Sequence, residues 1–264
     1  MKKKLQNIIS HSIPFWVFLG ILLIWQLVCA MKLVPGYMLP SPLSVLEVFR
    51  TEGPLLWKHT VVTLQEAFWG LLFGVTLGFV FAVLMDRFRL IYKGFYPIAV
   101  MSQTIPTIAI APLLVLWLGY GMTPKITLVV ITTFFPITIG LLDGFRQADP
   151  DAVDLFRAMG AKRLQIFWYI KMPQALGSFF SGLRISATYS IVGAVISEWL
   201  GGFEGLGVYM VRVKKSYSFD KMFAVIFLIA AVSVLLMKLV DLIGKASMPW
   251  EKERNKERYY KENL

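Results

Sequence analysis

The feature that most constrains this chain is a recurrence of apolar runs, long enough to cross a bilayer and almost free of charge. Residues 14–31, 96–118, 126–142 and 222–237 contain no Asp, Glu, Lys or Arg. Residues 61–85 carry only Glu66, and the charge-free run 185–196 extends to Leu200 through Glu198. A helix needs about 20 apolar residues to cross the hydrocarbon, and lipid leaves the backbone no alternative hydrogen-bond partner. The pattern therefore predicts an all-α, polytopic membrane protein with about six transmembrane helices, forming one domain over residues 1–264. A soluble domain in which 57% of residues are hydrophobic and 16% charged could not hide that much apolar surface.

Orientation follows from where the basic residues fall, since cytoplasmic loops collect Lys and Arg. With both termini inside, the cytoplasm receives Lys2, Lys3, Lys4, Arg87, Arg89, Lys93, Arg146, Arg157, Lys162, Arg163, Lys171 and Arg184, and the basic tail beyond Lys245. Arg212, Lys214, Lys215 and Lys221 run against the trend in the last outside loop. They would attract an anion or pair with acids on an external partner, and the second is preferred. The net charge of +11 is accounted for by the membrane surface, so no nucleic-acid partner is implied. The sole cysteine, Cys29, lies in an apolar run, so neither a disulfide nor a metal cluster is expected. The opening MKKK followed by an apolar run has the outline of a signal peptide. The residues before Cys29 lack the small side chain of a cleavage site, which favours an uncleaved first span.

The longest polar interruption, residues 146–173, reads as a short folded unit. Asp149 suits an N-cap, Pro150 the first helical position, and Asp151 and Asp154 the positive end of the helix dipole. Gly160 suits the left-handed stop, and Ala161 leads into a second amphipathic segment that is expected to end before Pro173. Val153, Phe156 and Met159 are expected on one exposed side of the first helix.

Elsewhere, Pro40-Ser41-Pro42 is turn chemistry ahead of a short interfacial helix over residues 43–50. Gly70, Gly74 and Gly78 line one face of the second span and permit close helix contact. Glu66, about two turns from the outer boundary, is expected to reach interfacial water, with pathway lining as the alternative. Pro97, Pro106 and Pro112, with Gln103 among them, predict a broken third span beside a polar route. Ser186, Ser190 and Ser197 favour tight packing over a hydrated pathway. His11 and His59 read as interfacial histidines.

Several of these segments resemble one family. Asp154, Leu155, Phe156, Gly160, Ile170, Met172 and Pro173 keep the spacing of the "EAA" loop of ABC-importer permeases, although Leu155 and Phe156 replace alanines. Ile105-Pro106, Ala109, Pro112-Leu113, Trp117, Gly119 and Gly121 match the "IP..A..PL...W.G.G" run of the nitrate/sulfonate/taurine group. That group also has an "LPSP" element, here Leu39 to Pro42, and a "GLR…E.LG…GLG" run, here from Gly182 to Gly207. The resemblance implies a type I ABC importer permease fold. It also implies partners: cytoplasmic ABC ATPase subunits, an extracellular or periplasmic solute-binding protein and a second permease copy forming a homodimer in the cell membrane. On this reading Asp149, Asp151, Val153, Asp154, Leu155, Phe156, Met159, Gly160 and Ala161 couple to the ATPase, with Ile170, Met172 and Pro173 as the loop's framework. Gln103, Pro106, Ser190 and Glu198 are the candidate pathway or gate residues. Family members carry nitrate, sulfonates and taurine, and related ones thiamine-pyrimidine precursors, so a small polar or anionic solute is implied.

No phosphate-binding loop, zinc motif or nucleophile elbow occurs, which argues against an enzyme or a bound cofactor in this chain. The motor must therefore be a separate subunit. A stand-alone secondary carrier or channel is the alternative, and it would need an acid–base pair deep in a span, which the sequence does not display.

Overall fold

The computed structural model describes residues 2–250, without the side chains of residues 2–12, 14 and 15. The charged tail beyond Trp250 and the side chains of Lys2, Lys3, Lys4 and His11, all used above, therefore lie outside the described residues. The described chain is helical throughout: α1 (Lys2–Ala30), α2 (Pro42–Thr51), α3 (Gly53–Arg87), α4 (Arg89–Ser102), α5 (Thr107–Leu118), α6 (Met122–Arg146), α7 (Pro150–Ala158), α8 (Arg163–Ile166), α9 (Met172–Gly201), α10 (Leu206–Lys215) and α11 (Phe219–Ser247). Helices α3, α6 and α11, and α8–α9 as one continuous rod, are each long and apolar enough to cross a membrane. The expected broken span is present as α4 and α5, bent by 102° at residues 103–106. Gln103 ends α4 and Pro106 precedes α5, where a missing N–H costs nothing. A single residue, Phe88, separates α3 from α4.

Helices α3, α6 and α9 form the centre. Gly70, Gly74 and Gly78 face Val129, Thr133 and Ile137 of α6, matched at four-residue spacing on both helices. A Cβ at Gly74 would collide with the Thr133 hydroxyl, and one at Gly78 would stand 2.9 Å from the Ile137 side chain. Backbones this close gain dispersion contacts along the whole seam, which is what drives helix association where water is absent. Gly74→Val is expected to split the seam and lower the melting temperature of the detergent-solubilised protein by several degrees, whereas Gly94→Val, at an open position, should leave it unchanged. The serines pack as expected: Ser186 Oγ donates across helices to the Thr133 carbonyl at 2.9 Å, and Ser190 and Ser197 bond within α9.

Short helices clothe the end of the bundle away from α7. Ser41 caps α2 by accepting from the Ser44 N–H at 3.2 Å, and Pro42 opens it. Glu52, between α2 and α3, accepts hydrogen bonds from Lys221 of α11 and Tyr209 of α10, tying four helices together. Burial by itself would raise the Glu52 pKa, but the Lys221 and Tyr209 hydrogen bonds outweigh it and leave the carboxyl below its ordinary 4.5. The stabilisation is therefore complete above pH 4.5 and is lost as pH falls through the lowered value. Melting measured against pH should decline in that acidic window, and Glu52→Gln should flatten the decline.

Candidate functional site

At one end of the bundle, residues 146–173 build a compact unit. Asp149 Oδ1 accepts from the Asp151 N–H at 3.1 Å, and Pro150 follows at the first helical position. Gly160 has φ +82°, and the Gly160 and Ala161 N–H groups donate back to the Arg157 and Phe156 carbonyls, both at 2.9 Å. That paired closure is the Schellman arrangement, which satisfies two of the carbonyls that the end of a helix leaves free. A small core of Ala148, Val153, Ile166 and Ile170 lies beneath, with Phe156 and Ala161 packed on it. The Asp149 N–H donates to Gln174 Oε1 at 3.0 Å, fastening the unit to α9.

The outward face of α7 differs from expectation. Val153 and Phe156 turn inward to cover Ile166 and Ile170, because the second half of the unit folds beneath the first. The outer face carries Asp151, Asp154, Leu155 and Met159, and Leu155 and Met159 are 60% and 75% exposed. Asp154 pairs with Arg157 at 2.9 Å, both in solvent. The second segment also fails to end before Pro173. A π turn over Phe167–Lys171 widens the helix, and the chain runs through Met172 and Pro173 into α9. Proline lacks a donor and crowds the carbonyl four residues back, and the wider turn relieves both conflicts.

Above this unit a cavity of about 930 Å³ lies between α6 and α9. It extends from Gln147, Asp149 and Gln174 beside α7 to Gln103 and Tyr189. From Gln174 to Tyr189 is about 22 Å along α9 at 1.5 Å per residue. A second cavity of about 240 Å³ continues from the same Gln103 and Tyr189 towards Ile196 and Thr107. Gln103 thus stands at the junction of the two, held there by the break between α4 and α5.

The opposite end is closed by buried polar groups. Glu66, 1% exposed, pairs with Lys125, 4% exposed, at 2.6 Å. The Glu198 carboxylate accepts from Thr63 Oγ1 at 2.7 Å and from the Gly207 N–H at 2.5 Å. The Gly205 N–H donates to His59 Nδ1 at 3.0 Å, and the Leu206 N–H to Thr63 Oγ1 at 2.9 Å. Side chains from α3 and α9 thus satisfy the successive donors at the start of α10, which its own helix leaves free. Gly205 has φ +126°, and a Cβ there would strike the Glu198 carboxylate.

Residues 74–249 match the model of the family described as binding-protein-dependent transport system inner membrane component. The chain belongs to that family. A probable ABC transporter permease protein of Haemophilus influenzae (strain ATCC 51907 / DSM 11121 / KW20 / Rd) is 40% identical over 86% of this chain and 93% of its own length. The formylaminopyrimidine transport permease protein ThiX of Halalkalibacterium halodurans is 35% identical over 91% of this chain and 96% of its own. Among solved structures, an amino acid ABC transporter crystallised with histidines has a TM-score of 0.63 at 17% identity, covering 75% of this chain and 96% of that one. The type I permease fold is common to both.

In this permease the predicted residues fall in three places. Asp149, Asp151, Asp154, Leu155, Met159, Gly160 and Ala161 belong to the α7 unit, with Val153, Phe156 and Ile170 inside its core. Gln103 lines both cavities, and Pro106 stands beside it at the α4–α5 break. Ser190 is fully buried and lines neither cavity. Glu198 sits in the polar cluster at the far end. Glu66 does not reach interfacial water: it is sealed in an ion pair, and a buried acid–base pair exists where the sequence displayed none. That pair lies near the first turn of α6, away from both cavities. His59 likewise is buried against Tyr209 rather than interfacial. Lys125 and Thr63 were not singled out from the sequence. The one pointer to them was the rule that an acid within a span needs a named partner.

Proposed function

We propose that this permease sits in the cell membrane with both termini cytoplasmic and works as a homodimer, with two cytoplasmic ABC ATPase subunits and an external solute-binding protein. ATP hydrolysis belongs to the ATPases, and the cargo is a small polar solute. The observation that carries this reading is the outer face of α7. Leu155 and Met159 form an exposed apolar pair beside Asp154 and Asp151, on a helix capped at both ends and packed on its own core. Such a surface is built to be gripped without deforming. An ATPase that grips it would pull α7, and through the Asp149–Gln174 hydrogen bond and the continuous α8–α9 rod would displace the wall of the cavity.

Two permease copies moving together would alternately open and seal a path made of the two cavities, with the Glu66–Lys125–Glu198 cluster at the external end. Arg212, Lys214 and Lys215 form no ion pair among the described residues and are available to acids on the binding protein, whereas Lys221 is already held by Glu52. The test is purification of the permease from its native membrane in mild detergent, identifying its companions by mass spectrometry. Recovery of an ATPase and a binding protein is expected. A permease recovered alone and fully active after reconstitution would refute the assignment.

A further inference from the structure

The charged groups lining the two connected cavities are Asp143 and Asp149, and neither cavity is lined by Lys, Arg or His. This is not because bases are scarce nearby. Arg146, on α6, is turned onto the Tyr92 ring, 4.1 Å from its centre. Lys171 reaches back to Asp86 at 2.7 Å, and Arg184, on α9, reaches Asp241 at 2.5 Å. Each cation flanking the cavity is thus held on another helix. The remaining polar lining is neutral, and in the larger cavity it comprises the amides of Gln103, Gln147 and Gln174, the hydroxyls of Ser178 and Ser181, and the half-exposed ring of Tyr189. Of these, the Gln103, Gln147 and Tyr189 side chains, like that of Asp143, form no hydrogen bond among the described residues, so their donors and acceptors are free for a solute.

We propose that the cargo crosses as an uncharged or cationic polar molecule rich in N–H donors, and that the cavity rejects anions. This rests on the importer reading above. Pores that pass anions present rings of Arg or Lys, and those that pass cations present Asp or Glu. A cleft of one sign with low-dielectric walls concentrates the opposite charge and excludes its own. A second copy related by a two-fold axis running along this cavity would add the same two carboxylates. Amides meet both donors and acceptors, a carboxylate accepts N–H groups, and the Tyr189 ring offers a stacking face to a planar cargo.

The field can be measured without knowing the cargo. In a Cys29→Ser background, Ser181→Cys places one thiol on the cavity wall of the complete complex. Its modification rates by a cationic trimethylammonium thiosulfonate and an anionic sulfonate thiosulfonate are compared with those of a free thiol. The cation-to-anion rate ratio should exceed the free-thiol ratio about tenfold, and Asp143→Asn should bring it most of the way back. A ratio at or below that of the free thiol overturns the proposal. So does ATP-driven uptake of nitrate or methanesulfonate by the reconstituted complex with its own binding protein. If the permease instead proves to have no ATPase, the importer reading fails while the measured ratio still reports the charge preference of the cavity.

Discussion

Lys125→Met is expected to cost about 3–5 kcal/mol, because it leaves Glu66 buried without its counter-ion. Glu66 is 1% exposed, and its Oε1 is held by Lys125 at 2.6 Å. Removing one partner of a buried pair strands a charge, whereas replacing both with matched uncharged groups is often close to neutral. The double variant Lys125→Met with Glu66→Gln should therefore recover most of the loss. Both effects can be followed as melting-temperature shifts of the detergent-solubilised permease. A single variant as stable as the parent would show that the pair carries no charge. Lys125 also approaches the Glu204 carbonyl at 3.5 Å, so limited proteolysis of the loop before α10 should quicken in the single variant.

Leu155→Asp combined with Met159→Asp is expected to abolish recovery of the ATPase with the permease. Interface anchors of this kind typically contribute about 2–4 kcal/mol together, or roughly 30- to 1000-fold in affinity. Both side chains are largely exposed, so the melting temperature of the permease alone should hardly change. Phe156→Asp should behave differently. It puts a charge against Val153, Ile166 and Ile170 and is expected to loosen the whole α7 unit, lowering stability as well as association. An unchanged complex in the Leu155/Met159 variant would place the ATPase grip elsewhere on the unit.

What the sequence displayed well was local. Asp149, Pro150 and Gly160 mark the two ends of α7 because caps depend on residues adjacent in the chain. Gly70, Gly74 and Gly78 marked the α3–α6 seam because helical periodicity is written along one strand of sequence. Pro106 and Gln103 marked the α4–α5 break for the same reason. What stayed hidden depended on distant partners. Glu66 and Lys125 are 59 residues apart, and Lys58 and Glu204 are 146 apart, with no pattern linking either pair. The inward turn of Val153 and Phe156 was missed because an amphipathic helix shows two candidate faces. Only the fold-back of Ile166 and Ile170 decides which is covered. The π turn at Phe167–Lys171 was invisible because a proline inside a helical pattern more often ends a helix than widens it.

The continuous rod from Arg163 to Gly201 has a mechanical consequence. At 1.5 Å per residue its 39 residues measure about 58 Å, so a tilt of about 5° about one end swings the other by about 5 Å. Near the start of this lever lies the Gln174 amide that holds Asp149, and near its tip lies the Glu198 carboxylate that holds Gly207. A swing of that size exceeds the length of a hydrogen bond. One element thus carries both contacts, and a tilt about a point between them would disturb the two together.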